Sequence, residues 1–295
     1  MTCDFRQIPS FGVAGNFTGH LEQAGEARDF LAIKTKEQNA PKALFPTYIP
    51  SSQGVVPSFL GIYPFDGERI IYLPSEGSGS KLQIEPECAI VCDVAWEGTQ
   101  VKSLHPFAFV ASNDCSIRKD GARKISEKKN WGACSKGLAL RMLPIDSFDS
   151  SGIMERYRIA SFLVRGGQVH AYGEDSAVRD YSYIYGKLIS WLIEKLNTQR
   201  DEGPAEDVNA YLNAASRPEQ LLISIGATRY TDFGEHNFLH DGDASVVLLY
   251  PEDKYSPQEI AARVGRREVE AEDISVLWQR VECMKDASSA LSPAC

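Results

Sequence analysis

One short stretch of the sequence, KLQIEPECAIVCDVAW at residues 81–96, limits most strongly how the chain can fold. Successive side chains of a β-strand point to opposite faces, so Glu85 and Glu87 share one face with Ala89 and Val91. The intervening residues beyond position 87 are apolar as well, and both faces of the strand are therefore suited to a protein core. The pattern predicts a strand that enters the core from an end carrying two carboxylates.

Two carboxylates on the same face of one strand repel each other. Either one of them takes up a proton or a cation lies between them, and a hard divalent cation is the one best suited to oxygen ligands. The alternative is an exposed strand end at which both Glu85 and Glu87 are solvated. The motif alone leaves both possibilities open.

A third acidic residue follows the next apolar segment. The stretch HPFAFVASNDCSIRK, residues 105–119, reads as a strand that ends just before Asp114. The 27-residue separation between Glu87 and Asp114 allows the two strands to lie side by side, which would bring all three acids to one place. Arg118 and Lys136 follow, and cations near three acids form either a structural salt-bridge network or a site for an anionic substrate beside a metal.

Composition narrows the class of protein. The chain has 295 residues, of which 43% are hydrophobic, and its formal net charge is −9. That acidic balance argues against a nucleic-acid partner, which needs a basic surface. No apolar run reaches the roughly 18 to 20 residues of a membrane-spanning helix, and the N-terminus has no secretory signal pattern. The seven scattered cysteines are expected to be reduced, so we predict a cytoplasmic protein with no membrane partner.

Periodicity along the rest of the chain predicts an α+β protein with helices at the edges of a mostly antiparallel sheet. A hairpin is predicted over residues 156–172, with Gly166 and Gly167 at its turn. A long helix is predicted over 180–198, where branched apolar residues recur every four positions. Further strands are predicted at 220–226 and 244–250, and further helices at 20–33, 256–265 and 272–287.

The order of the polar motifs resembles that of the fumarylacetoacetate hydrolase family. That family carries E-x-E at a strand start, then Asp with Arg four residues later, then a Trp-rich loop and Lys-Gly. The matching residues here are Glu85-Pro86-Glu87, Asp114, Arg118, Trp131 and Lys136-Gly137. GNFTGHLEQAGE resembles the family's N-terminal histidine segment, and LLISIGATRY resembles part of its closing element. The resemblance extends over roughly residues 11–250.

The resemblance implies a mixed β-roll or β-sandwich of the fumarylacetoacetate hydrolase C-terminal-domain type, with peripheral helices. Residues 1–250 would form the catalytic domain, and residues 1–43 within it would be an N-terminal lid segment. Residues 251–295 have no counterpart in the resemblance, and we predict a C-terminal helical extension there. Proteins of this family are usually homodimers, and the apolar stretch ISVLWQRVECM offers a surface to bury, so we also predict a homodimer.

The resemblance also implies a metal. In the family, the residues at the positions of Glu85, Glu87 and Asp114 bind Mg²⁺, or else Mn²⁺ or Ca²⁺. The metal holds a small-molecule substrate, a 2-oxo or β-dicarbonyl acid, through its enolisable oxygens. Such a cation stabilises the enolate that forms when a C–C bond breaks or a carbonyl tautomerises.

Catalytic and substrate-binding residues are implied as well. His20 matches the lid histidine that activates water or moves a proton, with Glu22 or Gln23 orienting its ring. Arg118 and the catalytic Lys136 match groups that hold the substrate or a developing oxyanion. The closing element implies two further substrate contacts, Gly226 and Thr228.

Among the departures from the family pattern, two concern the lid and the closing element. Gln23 stands where the family's lid carries a glutamate, and Ala227 stands where it carries a substrate-binding threonine. Restoring the pattern with Gln23→Glu is expected to raise activity. The resemblance implies foremost a C–C bond hydrolase of the acylpyruvase kind. The alternatives are a decarboxylase, hydratase or tautomerase of 2-oxo acids on the same site, or a metal-binding module that has lost turnover.

Overall fold

The computed structural model of the protein describes residues 3–26, 30, 33, 35–50, 54–72, 81–118 and 121–284. Within these ranges the strands form two larger sheets and a two-stranded ribbon. The first sheet has the order β2 (Ala43–Tyr48), β1 (Ser10–Ala14), β12 (Gln220–Ala227), β5 (Pro86–Glu97), β6 (Gln100–Asn113) and β8 (Gly137–Leu138), with β9 (Leu143–Pro144) also paired to β6. The second has the order β11 (Gln168–Ala177), β10 (Tyr157–Arg165), β13 (Ala244–Pro251), β14 (Ser275–Cys283) and β3 (Arg69–Tyr72). The ribbon joins β4 (Leu82–Gln83) and β7 (Ser116–Ile117).

Both larger sheets are mixed, because each contains one parallel pair among antiparallel ones. β1 runs parallel to β12 in the first sheet, and β14 runs parallel to β3 in the second. The hairpin of β10 and β11 turns at Gly166 and Gly167, as predicted, and both glycines have the positive φ that such a turn requires.

The helices lie outside the sheets. They are α1 (His20–Gln23), α2 (Tyr185–Thr198), α3 (Val208–Ala214), α4 (Asp232–His236) and α5 (Pro257–Arg266). The predicted stripe of α2 is buried at Leu188, Leu192 and Leu196. At the start of α5 the Ser256 hydroxyl accepts a hydrogen bond from the N–H of Glu259, as an N-cap does. Peripheral helices on mixed sheets confirm the predicted α+β class. None of the helices in the described ranges is both long and apolar enough to cross a membrane.

One apolar core lies on each face of the second sheet. Along β13, Val247 and Leu249 point into the large core shared with the first sheet, whereas Val246, Leu248 and Tyr250 point into a smaller core that includes residues of α5. Both faces of β13 are therefore buried, which explains why ASVVLLY is apolar without alternation.

The two strands that carry the acidic residues form one hairpin. β5 and β6 pair antiparallel, with Glu87 opposite Ser112 and Pro86 opposite Asn113. The predicted side-by-side arrangement of these strands is thereby confirmed. Because β5 begins where β6 ends, Glu87 and Asp114 lie at the same end of the sheet.

The helix predicted over 272–287 is wrong within the described part of the chain. Residues 275–283 form the strand β14, which pairs with β13 and β3, while residues 285–287 lie outside the described ranges. Leu277 and Val281 are buried inside the chain on one face of this strand. Because these apolar side chains are already buried within the chain, ISVLWQRVECM no longer supports the prediction of a dimer. The homodimer stays a prediction.

The N-terminal helix predicted over 20–33 is also shorter than expected. It covers only His20–Gln23 and ends in a turn at Gly25, which has a positive φ of 70°. Residues 27–29, 31 and 32 of the predicted helix lie outside the described ranges.

Candidate functional site

Three buried carboxylates meet at the end of the β5–β6 hairpin. Oxygen atoms of Glu85, Glu87 and Asp114 lie within 4.8 Å of one another, and each residue is at most 3% exposed. The N–H of Asp114 donates to the carbonyl of Glu85 at 3.0 Å, which joins the two chain segments. The structure therefore brings the three predicted metal ligands together, away from solvent. We call them the carboxylate triad.

A bulge in the neighbouring strand positions Glu87. The pairing of β12 with β5 is irregular between Ser224 and Ala227, and within this bulge the N–H of Gly226 donates to Oε2 of Glu87 at 2.9 Å. Gly226 has φ +121°, and a Cβ there would lie 3.0 Å from the Cβ of Asn16. In the structure Gly226 thus orients a triad carboxylate, and its contact with substrate stays a prediction.

Three cations surround the triad. Lys129 Nζ contacts Glu85 Oε2 and lies 2.8 Å from Asp114 Oδ2. Lys136 Nζ lies 2.5 Å from Asp114 Oδ1, and Arg118 Nη2 lies 3.0 Å from Glu85 Oε1. Lys136 and Arg118 were predicted to be near, whereas Lys129 was not. Nothing in the lysine-rich loop RKDGARKISEKKNW distinguishes Lys129 from its neighbours, so sequence reasoning had no signal for it.

The triad has the donor chemistry of a divalent-cation site. The contacts of Arg118, Lys129 and Lys136 with Glu85 Oε1 and with the carboxylate of Asp114 have the distances of ion pairs but not the angles of hydrogen bonds. As a result Glu85 Oε1 and both carboxylate oxygens of Asp114 have no directed donor among the described residues. Buried carboxylate oxygens with lone pairs left over are the ligands that Mg²⁺, Mn²⁺ and Ca²⁺ prefer. The residues present therefore fit such a cation.

The environments of the two glutamates push their pKa values apart. Burial and the neighbouring Asp114 raise the pKa of Glu87 well above its usual value. Burial has the same tendency at Glu85, but there the charges of Lys129 and Arg118 outweigh it and lower the pKa. Burial also opposes the charge of Lys129, yet Asp114 and Glu85 overcome it and raise the pKa of this lysine. The surroundings thus favour the charged form of Glu85 and the neutral form of Glu87.

His20 is buried beside the triad with a defined ring orientation. Its Nδ1 lies 2.8 Å from the carbonyl oxygen of Thr228. A carbonyl only accepts, so Nδ1 carries the proton and Nε2 of the neutral ring keeps its lone pair. Burial lowers the pKa of His20, against an opposing effect of Glu85, which favours the neutral form. The ring lines a small cavity together with Glu85, Glu87 and Lys129.

The residues next to His20 do not orient its ring. Glu22 is exposed, so the structure assigns the orienting contact to Thr228 rather than to Glu22. Gln23 instead binds the backbone of Tyr230: its Nε2 donates to the carbonyl at 3.1 Å and its Oε1 accepts from the N–H at 2.9 Å. Nε2 of Gln23 also donates to Glu235 at 3.3 Å. A glutamine suits this position because an amide both donates and accepts, which a carboxylate cannot.

The N-terminal segment closes the site. Glu26 Oε1 lies 2.7 Å from Arg118 Nη1 and 3.4 Å from Lys128 Nζ. The cavity beneath has a volume of only about 10 Å³, roughly the space for one water molecule. Arg118, predicted to hold substrate, is engaged with protein groups in this closed form, including the hydroxyl of Tyr230 at 3.0 Å. With the segment in this position, the cavity has no room for a molecule larger than water.

Lys136 and Thr228, predicted as a catalytic and a substrate-binding residue, both form contacts within the protein. Lys136 Nζ donates to the carbonyl of Cys115 at 3.0 Å, in addition to its ion pair with Asp114. The hydroxyl of Thr228 is buried and has no hydrogen-bond partner among the described residues. Within the closed site, the contribution of Thr228 is thus its backbone contact to His20.

A buried glutamate anchors the turn that carries Lys129. The hydroxyl of Ser126, in the 3₁₀ turn Ile125–Lys128, donates to Glu206 Oε1 at 2.6 Å. The other carboxylate oxygen of Glu206 has no partner among the described residues. Burial raises the pKa of Glu206 to about 7, so this side chain keeps its proton in the folded state over part of the acidic range.

We expect Glu206→Gln to remove a pH-dependent loss of stability. As the pH rises from about 4.5 to about 7, the unfolded chain releases the proton of Glu206 while the folded chain retains it. The contribution of Glu206 to the free energy of unfolding therefore falls across this interval, by about 3 kcal/mol in total. The neutral amide has no such loss, so the variant should gain on wild type between pH 4 and pH 8. Urea unfolding at both pH values measures this.

The exposed neighbour Glu202 provides the control for this prediction. Glu202→Gln changes an exposed side chain and should alter the free energy of unfolding by less than about 0.5 kcal/mol. Parallel pH profiles for wild type and Glu206→Gln would contradict the assignment.

The fold is shared with solved structures of low sequence identity. The structure named Cg1458, determined with an inhibitor, is 15% identical with a TM-score of 0.52, over 94% of this chain and 77% of that chain. A 2-keto-3-deoxy-D-arabinonate dehydratase complexed with magnesium and 2,5-dioxopentanoate is 14% identical with a TM-score of 0.52, over 94% and 74%. Maleylpyruvate hydrolase from Sphingobium.sp SYK-6 is 10% identical with a TM-score of 0.50, over 94% and 71%. These likenesses confirm the predicted fold class.

Sequence comparison places the chain in a family without assigning an activity. No curated protein matches it. The model of a family of unknown function, DUF5718, matches residues 26–281, a span that includes the carboxylate triad and Lys129 but not His20. The protein therefore has the fold of the fumarylacetoacetate hydrolase family and belongs to DUF5718, a family of unknown function.

Proposed function

We propose that this protein is a divalent-metal-dependent enzyme that acts on a 2-oxo or β-dicarbonyl acid, foremost as a C–C bond hydrolase. The observation that carries the proposal is the buried carboxylate triad. Three of its oxygens lack directed donors among the described residues, and the ring of His20 lines the same cavity. Two of the proteins with the same fold support the substrate class. One is a dehydratase complexed with magnesium and a dioxo compound, and the other is a maleylpyruvate hydrolase.

Glu85, Glu87 and Asp114 would hold the metal. When bound, a divalent cation supplies Lewis-acid polarisation of substrate oxygens. Arg118, and Lys136 in its protonated form, bring positive charge next to the triad, which favours an anionic substrate and an oxyanion that develops on it. These cations are fixed by ion pairs to Asp114 and Glu85 before any substrate arrives, so little reorganisation is needed.

His20 would transfer the proton. Its Nε2 accepts a proton from a water molecule in hydrolysis, or from a substrate carbon in tautomerisation. The carbonyl of Thr228 keeps the Nδ1 proton in place and thereby keeps Nε2 as the acceptor. The closed N-terminal segment excludes bulk water from this transfer, and its opening admits the substrate.

A decarboxylase, hydratase or tautomerase of 2-oxo acids is the second candidate. The Nδ1 partner of His20 is a neutral carbonyl rather than a carboxylate. A neutral partner stabilises an imidazolium less, so His20 is a weaker base toward water than in a histidine–carboxylate pair. Among these activities the observation favours the decarboxylase and the tautomerase, whose reactions need no activated water.

One experiment tests the proposal and separates the candidates. The full chain is freed of metal with EDTA, titrated with Mn²⁺ by calorimetry, and assayed with acetylpyruvate and oxaloacetate in the presence of Mg²⁺ or Mn²⁺. Metal-stimulated cleavage of acetylpyruvate supports the hydrolase, and release of CO₂ or enol–keto conversion of oxaloacetate supports the second candidate. Metal binding without any turnover indicates a binding module, and the absence of both contradicts the proposal.

A further inference from the structure

We propose that Lys129 is the internal counter-cation of the carboxylate triad and that a divalent cation must displace its ammonium group in order to bind. The proposal rests on the metal site proposed above. Lys129 Nζ contacts Glu85 Oε2, lies 2.8 Å from Asp114 Oδ2, and lies 3.5 Å from the carbonyl of Asp114. The ammonium group therefore lies among the oxygens that a metal would use.

The position of Lys129 is built into the fold. Its side chain is 3% exposed, and the ammonium lies 5.3 Å from the centre of the Phe45 ring. On one side the turn is held by the hydrogen bond from Ser126 to Glu206. On the other side Asn130 Nδ2 donates to the carbonyls of Thr47 and Ile62, at 2.9 and 3.0 Å. A surface lysine that had merely swung inward would have no such anchors.

Charge balance makes the ammonium and the metal alternatives. Arg118, Lys129 and Lys136 already form ion pairs with Glu85 and Asp114, so these two acids have cationic partners without a metal. A divalent cation bound to the same oxygens would lie a few ångströms from the ammonium in a buried site, where like charges repel strongly. Lys129 therefore stabilises the metal-free protein and weakens its affinity for metal.

The first test measures metal affinity with Mn²⁺ as the probe. Calorimetry on EDTA-treated Lys129→Met should give a dissociation constant at least about tenfold lower than that of wild type, because the competing charge is gone. The matched control is Lys128→Met, which removes the same charge from the adjacent residue; Lys128 forms an ion pair with Glu26. The control should change the dissociation constant less than about threefold. An unchanged or weaker affinity in Lys129→Met overturns the proposal.

The second test needs no metal. In EDTA, Lys129→Met should lower the melting temperature, because Glu85 and Asp114 lose their shared partner. The same substitution in an Asp114→Asn background should cost much less, since one unpaired carboxylate has been removed. Additive losses in this double-mutant cycle overturn the counter-cation assignment.

The third test uses the wild-type chain, so it does not depend on whether a variant folds. In chelator, protein labelled with ¹⁵N-lysine should show a slowly exchanging ammonium resonance that is absent from Lys129→Arg. Saturating Mg²⁺ should shift or broaden this resonance, and an unchanged resonance overturns displacement. If Mn²⁺ binds neither wild type nor Lys129→Met, the proposed metal-dependent function fails. The double-mutant cycle then decides the counter-cation assignment by itself.

Discussion

The Glu87→Gln variant is expected to fold like the wild-type protein and to bind Mn²⁺ at least about 100-fold more weakly. Substitutions in the outer shell of a metal site already cost about 10- to 100-fold in affinity, and Glu87 is a candidate ligand itself. The fold should tolerate the change, because Glu87 accepts its hydrogen bond from the N–H of Gly226 and an amide oxygen can do the same. Burial and Asp114 raise the pKa of Glu87, so a neutral side chain already suits this position.

Calorimetric titration measures the affinity of Glu87→Gln for Mn²⁺, and urea unfolding in chelator measures its stability. Glu85→Gln is the informative comparison, because Glu85 forms ion pairs with both Lys129 and Arg118. Breaking a buried ion pair by removing one partner costs about 3–5 kcal/mol, so this variant should lose stability as well as metal. An affinity of Glu87→Gln within about threefold of wild type would rule out the carboxylate triad as the metal site.

His20→Ala is expected to lower kcat by about 10²- to 10⁴-fold and to leave the affinity for Mn²⁺ unchanged, as removal of a general acid–base group typically does. The ring lies beside the triad, but its ordered contact is to the carbonyl of Thr228 and not to a triad carboxylate. Single-turnover kinetics on the substrate that proves active, together with a separate metal titration, test this split.

Two neighbouring substitutions serve as controls for His20. Glu22 is exposed, so Glu22→Ala should leave kcat within about threefold of wild type. Gln23→Glu should not raise activity, contrary to the expectation from the family pattern. The new carboxylate would lose the bond to the Tyr230 carbonyl and would face Glu235. A fully active His20→Ala would remove His20 from the mechanism, and a more active Gln23→Glu would show that the sequence-based expectation was right.

The convergence of the triad could be predicted because the sequence specifies it locally. Alternation placed Glu85 and Glu87 on one face of a strand entering the core, and a hairpin connection carries the chain back to Asp114. The cap of α5 was predictable for the same reason, since Ser256 and Glu259 are three residues apart. In each case the interacting groups are close in the chain, or are linked by one strand pairing with an evident register.

The identity of β14 and the partner of His20 were decided by tertiary contacts. The apolar pattern of residues 272–287 is compatible with a helix or a strand. The strand forms because its backbone pairs with β13 on one side and with β3 on the other. His20 finds its partner 208 residues away at Thr228, where the bulged end of β12 brings a carbonyl to the ring. The adjacent acid Glu22 was the nearer candidate in sequence and is exposed.

By itself, then, the sequence determined the elements whose patterns are periodic and the acids that lie at strand ends. Only the tertiary structure decided that Lys129 is the lysine that forms ion pairs with the triad. Its loop contains several lysines in similar local contexts. Which of them reaches the triad depends on two distant residues: Glu206 binds Ser126, before Lys129 in the chain, and Thr47 binds Asn130, directly after it. The physical reason is that a buried charge is stabilised by partners in space, and a local pattern of residues carries no information about which distant partners will meet it.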